Sequence, residues 1–188
     1  MRRIILFRFH KNLPLCKNRL KLLKRYNPHI KIFGLFGGNS KSYKLAKKKL
    51  KPYIENIYFI KEKDKDWKWK NSDLAIKLWY NDFGRELSFD ILHIIEWDLL
   101  LFNSLDKVYR HIPKNGIGLT GLISLKKVEK KWSWTSKEPE KTEWKNLLNF
   151  VKQKFNYKKN PYASLGPGLC LPKNFLKKYS KKINEVLC

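Results

Sequence analysis

Two carboxylates, Glu96 and Asp98, interrupt the otherwise almost wholly apolar stretch ILHIIEWDLLLF at residues 91–102. An apolar run of this kind reads as a buried strand, and carboxylates within it are costly unless compensated. Residues i and i+2 of a strand point to one side, so the spacing sets Glu96 beside Asp98 and turns Trp97 away. Like charges that close repel, and one takes up a proton unless a cation intervenes. A hard divalent cation, Mg²⁺ or Mn²⁺, suits carboxylate oxygens and usually holds substrate phosphates as well. The plainer alternative is a pair of acids exposed where a strand gives way to a loop and matched by lysine.

Other residues have types that could work with such a pair. Arg8 and His10 alternate with Phe7 and Phe9 at the end of another strand-like run, where they can meet a base, a ribose, a phosphate or only solvent. Arg85 follows Gly84 and precedes the acidic strand, within reach of phosphates on that reading. Asp73 and Lys77 lie one helical turn apart, as a surface pair or as nucleotide contacts. Trp132 and Trp134 in KKWSWTS alternate across a segment read as extended; such faces stack on sugars or bases, or cover a core. Trp67 and Trp69 raise the same choice. His93 stands at an odd offset from Glu96 and reads as a hydrogen-bonded core histidine. Asp90 with Glu96 and Asp98 would make a different metal cluster, one suited to a nuclease.

These groups need elements to position them. Strand-like runs occur at 4–9, 29–38, 56–60, 90–97 and 115–123. Between them lie helix-like runs. In LPLCKNRLKLLKRY, Cys16, Leu20 and Leu23 recur at helical spacing, and SKSYKLAKKKL repeats Tyr43, Ala46 and Leu50. Ser72 can cap DLAIKLWYNDF. NSLDKVYRHI reads as a helix with Leu105, Val108 and Tyr109 inward. EWKNLLNFVKQKF is the cleanest case, with Trp144, Leu147, Leu148, Val151 and Phe155 on one stripe. The end carries a Gly-Pro-Gly sequence, 166–168, read as a turn, and a last basic helix. Alternating strands and helices predict an α/β fold, a mostly parallel sheet with helices on both faces, and a ligand at the strands' carboxyl ends.

Composition bounds the function. The chain has 188 residues, which suits one domain, and a net charge of +26. Lysine supplies most of that charge, 35 residues against seven arginines, so much of it reads as a solvated basic surface. Readers of bases lean on arginine's bidentate fork, which makes nucleic acid the lesser partner and an anionic membrane surface a further one. The odd cysteine number, Cys16, Cys170 and Cys188, fits a reducing compartment. With no secretory or membrane-spanning pattern, a cytoplasmic location is expected, peripheral membrane contact included.

The order of these pieces resembles the GT-A-fold nucleotide-sugar glycosyltransferases. In that family a central strand of a Rossmann-like sheet ends in an acid-x-acid motif, usually Asp-x-Asp, and IIEWD takes that place here with Glu first. IILFRFHKNLPLCKNRLKLLKRYNPHIKIFGLFGG resembles the opening strand, helix and second strand. NSDLAIKLWYNDFGRELSFD resembles the helix before the acidic strand, and ASLGPGLCLPKNFLKKY the Gly-rich turn and helix of the acceptor side. The resemblance runs from about residue 10 to 170, and the four histidines all precede the fifth strand.

The resemblance implies a single GT-A domain, with a nucleotide-binding part at about 1–102 and an acceptor-side part at about 103–188. It implies a metal-dependent transfer of a sugar from a nucleotide-diphosphate donor to a glycan, lipid or protein acceptor. Glu96 and Asp98 would hold Mn²⁺ or Mg²⁺. Arg8, Phe9, His10, Asp73, Lys77 and Arg85 would serve the donor nucleotide. Trp132, Trp134, Gly166 and Gly168 would serve the acceptor; the base is left open, with Glu143 and Glu138 the nearest late acids in the sequence. A nucleic-acid-binding protein or metal nuclease, and a glycosyltransferase-like binding domain without turnover, stay open as alternatives.

Overall fold

The structure, a computed structural model, describes residues 1–61, 67–68 and 71–182, with only the backbone of 165–167 and 182. It divides into two compact units, residues 1–118 with 167–188 and residues 119–166.

The first unit is built on a sheet in the order β3-β2-β1-β4-β6. Its strands are β1 (Arg3–Phe9), β2 (Lys31–Phe36), β3 (Ile57–Phe59), β4 (Ile91–Glu96) and the later part of β6 (Tyr162–Pro172). β1 pairs in parallel with β2 and β4, and β2 with β3, while β6 runs antiparallel to β4. The helices are α1 (Leu13–Tyr26), α2 (Ser40–Leu50), α3 (Ser72–Asp82), the single turn α4 (Leu105–Val108) and, after β6, a helix over Lys173–Lys182.

Strand alternation sorts the core into two layers. Ile4, Leu6, Leu92 and Ile94 face one cluster, with Trp79 of α3 and Leu176 of the last helix. Ile5, Phe7, Phe9 and Ile95 face the other, with Cys16 and Leu20 of α1, Ala46 of α2 and Leu105 of α4. Both faces of β1 and β4 are therefore covered, which is why their sequences are continuous apolar runs rather than alternating ones. The mostly parallel sheet with helices on both faces agrees with the expectation from the sequence.

Two local expectations for the first unit are corrected. The Gly-Pro-Gly stretch is no turn: residues 162–172 form one strand, because Cys170 and Leu171 bury against β4. Gly168 takes a positive φ of 79°, a conformation glycine adopts without penalty. The run at 103–112 yields only the one turn of α4, too short to sustain a helical stripe, so Leu105 is buried and Val108 exposed. Tyr109 packs instead through its ring and donates its hydroxyl to the Gly168 carbonyl at 2.5 Å.

The second unit contains β5 (Gly118–Ser124), which pairs with the start of β6, a short helix α5 (Ser133–Ser136) and the long helix α6 (Glu140–Phe155). Ser164 Oγ donates to the Thr120 carbonyl and Leu125 N to that of Pro161. Trp132 and Trp134 flank and enter α5, so their segment is a helical turn and not extended. Thr135 fixes that turn, its buried hydroxyl donating to the Glu129 carbonyl at 2.7 Å. α6 is the expected helix, but none of its residues is buried. The last helix, Lys173–Lys182, is α7.

Candidate functional site

The order β3-β2-β1-β4 means that the chain runs outward from β1 on one side and then returns to its other side. Such a reversal leaves a crevice at the strands' carboxyl ends. Here it is a cleft of about 760 Å³ between the ends of β1, β2 and β4. Arg8, Phe9 and His10 line it from β1, and Glu96, Trp97 and Asp98 from β4. Five donor-side residues named from the sequence thus share one cavity: Arg8, Phe9, His10, Glu96 and Asp98.

Opposite Glu96 stands Arg8. The two are in register across the parallel pair β1–β4. By alternation they share the side taken by Leu6 and Ile94. Arg8 Nη2 makes an ion pair with Glu96 Oε1, both side chains being mostly buried. Burial pushes the Glu96 carboxyl above its usual range; Arg8 pulls it back down, and the nearby Asp98 charge pushes it up again. The cation beside the first acid is therefore a neighbouring arginine, which the apolar pattern of either strand alone does not reveal.

Asp98 reaches the cleft by a different route from the one its spacing suggests. β4 stops at Glu96, and a turn follows in which Leu99 N donates to the Glu96 carbonyl at 3.0 Å. The turn, not strand alternation, brings Asp98 to the cavity, and it leaves that carboxylate exposed. Trp97 stays in line, its N–H donating to the Arg8 carbonyl, and its indole receives the His10 ring edge at 5.5 Å and Lys11 Nζ at 5.5 Å. Desolvation, Lys11 and Arg8 lower the His10 pKa, with Asp98 opposing them. The neutral imidazole is thereby favoured.

The third wall was not anticipated. It comes from the loop between β2 and α2, Gly37 to Asn39, and from Ser40 and Ser42 in the first turn of α2. A Cβ on Gly38 would lie 2.3 Å from the Phe36 ring and 2.8 Å from the His10 carbonyl, so only glycine lets this loop pack beneath the cleft. Asn39 then caps α2, accepting from Ser42 N at 2.8 Å. No acidic residue occupies the first turn of α2. The partial positive charge of that helix end, capped by the neutral Asn39, therefore faces the cavity edge without an acid of its own first turn. Lys61 and Lys68 add full charges; Lys68 donates to the Gly38 carbonyl at 3.3 Å and sits 5.6 Å from the Phe59 ring centre. The signal was legible: a Gly-Gly pair and an N-cap asparagine directly after a strand.

The remaining candidates lie elsewhere. Asp73 accepts from Tyr179 OH at 2.8 Å, Lys77 is buried on α3, and Arg85 pairs with Glu86 at 3.1 Å; none of the three lines the cleft. Gly168 is engaged by Tyr109 within the first unit, and Gly166, described by its backbone alone, belongs to β6. Trp132, Trp134 and Glu143 belong to the second unit. Trp67 packs part-buried on the α3 side of the core, and Trp69 lies outside the described residues. Asp90 lies at the opposite end of β4 from Glu96, where it accepts from Arg2 N at 2.7 Å. Six residues of strand, ~20 Å, separate it from Glu96, so the three-acid nuclease cluster does not form.

Among the described residues no three His, Cys, Asp or Glu side chains converge to hold a metal ion. Two hard oxygen donors, Glu96 and Asp98, do line the cleft. Mg²⁺ typically takes one or two carboxylates and completes its shell with waters and substrate phosphates. The residues present fit a metal that arrives with a diphosphate, not one caged by protein alone.

Neither a protein-family model nor a curated protein matches the chain. Solved structures do. The bifunctional glycosyltransferase WbbM, in its apo structure, aligns over 96% of this chain and 32% of its own, with a TM-score of 0.53 at 10% identity. The chain has the fold of a GT-A glycosyltransferase. The galactosyltransferase LgtC, crystallised with donor and acceptor sugar analogs, aligns over 95% of this chain and 59% of its own, with a TM-score of 0.48 at 18% identity. Mouse xyloside xylosyltransferase 1 aligns over 100% and 72%, with a TM-score of 0.43 at 13% identity. Likeness at these identities concerns fold alone. The chain spans a little over half the length of LgtC and about a third of WbbM.

Proposed function

We propose that this chain is a glycosyltransferase that binds a nucleotide-diphosphate sugar in the cleft between β1, β2 and β4. The observation that carries this reading is the meeting, at the topological switch point, of two carboxylates with Arg8, His10, two lysines and a helix N-terminus whose first turn holds no acid. A diphosphate with an attached sugar matches both halves of that set. Its oxygens meet the cationic groups, and Glu96 and Asp98 would hold a divalent cation that offsets its remaining charge.

In the transfer, an acceptor hydroxyl oxygen bonds to the anomeric carbon, the bond from that carbon to the diphosphate oxygen breaks, and the hydroxyl proton passes to a base. The residues of the cleft serve the departing diphosphate. Lys61, Lys68 and the N-terminus of α2 offset its charge before and during departure. Arg8 offers a guanidinium already oriented by Glu96. His10, whose neutral form burial favours, offers a ring N–H to the diphosphate. Mn²⁺ or Mg²⁺, when held by Glu96 and Asp98, would supply further charge neutralisation at the leaving group. Acceptor contacts through Trp132, Trp134, Gly166 and Gly168, a base role for Glu143, a nucleotide part at about 1–102 and a cytoplasmic setting complete the proposal.

The test is a thermal-shift panel of nucleoside diphosphates and their sugars, with and without Mn²⁺. One ligand at a hundred times its Kd should stabilise the fold by ~2.7 kcal/mol. Stabilisation by one base only, followed by donor hydrolysis or transfer, supports the enzyme. Stabilisation without either supports a binding domain that has lost turnover. Salt-sensitive binding of nucleic acid with no nucleotide effect overturns both.

A further inference from the structure

Helix α6 carries its apolar stripe on the outside. Leu147 and Phe155 are 54% and 55% exposed, and Trp144, Leu148 and Val151 of the same stripe are only half-buried. Phe150, beside the stripe, is 39% exposed; its ring meets Phe155 edge-on at 6.3 Å and Lys154 Nζ at 5.5 Å. Helical spacing puts Lys141, Lys145 and Lys152 together along one flank of the stripe. Asn146, Asn149 and Gln153 take the far side. The unit around this helix repeats the combination. Seven of the thirteen exposed large apolar side chains among the described residues fall within 119–166, Leu122 and Tyr162 among them. The same segment has eleven lysines, four glutamates, no arginine and no aspartate.

We infer that the outer face of α6 docks on an anionic lipid surface, lying along it with the Leu147–Phe155 stripe in the headgroup boundary. The occupant is chosen by charge and apolarity together. A second copy of this chain would bring like charge against like charge. A nucleic acid would satisfy the lysines but not the leucine, valine and phenylalanine between them. An anionic bilayer satisfies both, since lysine stems can lie along the apolar surface while their ammonium groups reach lipid phosphates. At sixteen residues with four lysines, α6 is too short and too charged to cross a bilayer. The inference does not depend on the reaction proposed above.

The experiment is co-sedimentation of the full chain with phosphatidylcholine vesicles and with vesicles containing ~30% phosphatidylglycerol. The expected result is binding to the anionic vesicles alone, at least tenfold weaker at 0.5 M salt. Leu147→Glu with Phe155→Glu should abolish it. Lys141, Lys145 and Lys152 changed together to Gln should weaken it at least tenfold while circular dichroism stays unchanged. Because the two apolar positions are exposed, a milder pair, Leu147→Ser with Phe155→Ser, tests the same point should the glutamate pair disturb the helix. Equal binding to neutral vesicles, no binding to either, or full binding by both apolar variants would overturn the inference. So would a solution dimer, or a tight RNA complex, that the serine pair disrupts.

Discussion

Arg8 and Glu96 hold each other in a cleft where neither is fully hydrated. Removing the guanidinium should expose how much of the acid's charge depends on it. In Arg8→Gln, Glu96 loses its largest stabilising partner and its pKa rises further above the unfolded value. The folded state then binds more protons than the unfolded state through that interval, so stability falls as pH rises through it. We expect a loss of ~2 kcal/mol at pH 7.5, intermediate between exposed and buried pairs, shrinking as pH falls toward 4. Urea denaturation at the two pH values checks this. A loss of equal size at both would mean that Arg8 contributes by packing and not by charge.

Within β4, His93 offers a cleaner titration. It is fully buried, and Arg3 Nη1 lies 2.8 Å from its Nε2. Arginine can only donate, so Nε2 accepts and the proton sits on Nδ1, which has no partner among the described residues. Burial, helped by Arg3, brings its pKa down to about 3. The unfolded chain therefore binds the proton first, and the stability present above pH 6.5 is lost as pH falls below it, with a slope approaching ~1.4 kcal/mol per pH unit. His93→Gln keeps an acceptor for Arg3 and removes the titration. It should flatten the stability profile between pH 6.5 and 4.5, as followed by denaturant midpoints. Elements of this kind were the readily legible part of the sequence. β1, β2 and β4 are buried on both faces, and their unbroken apolar runs say so. β6 was hidden by its Gly-Pro-Gly sequence, which punctuates most chains but here extends a strand held by the burial of Cys170 and Leu171. α6 was legible as a helix but not as an exposed one, because periodicity shows which residues share a face and not what covers it. The Arg8–Glu96 pair was hidden for another reason: it depends on the register of two strands 88 residues apart.

For the whole molecule, the charge of +26 is the dominant feature. Its lysine bias predicts binding to polyanions that is weak, blind to sequence and steeply dependent on salt. Fluorescence anisotropy with single- and double-stranded oligonucleotides of several sequences should show affinities within a few-fold of one another, collapsing between 50 and 200 mM salt. Nanomolar binding to one sequence at physiological salt would contradict a mainly solvated basic surface. The fold agrees with the resemblance read from the sequence, and the cleft brings together five of the residues that resemblance had assigned to the donor and metal. The central claim is thereby narrowed to the two acids. Asp98 is exposed on a turn, so Asp98→Asn should leave the ligand-free melting point unchanged or slightly higher. Isothermal titration of this variant with the nucleoside diphosphate that stabilises the parent, in the presence of Mn²⁺, is the most direct measurement. The account predicts a loss of at least a hundredfold in affinity with the fold intact. Binding equal to that of the parent would contradict it.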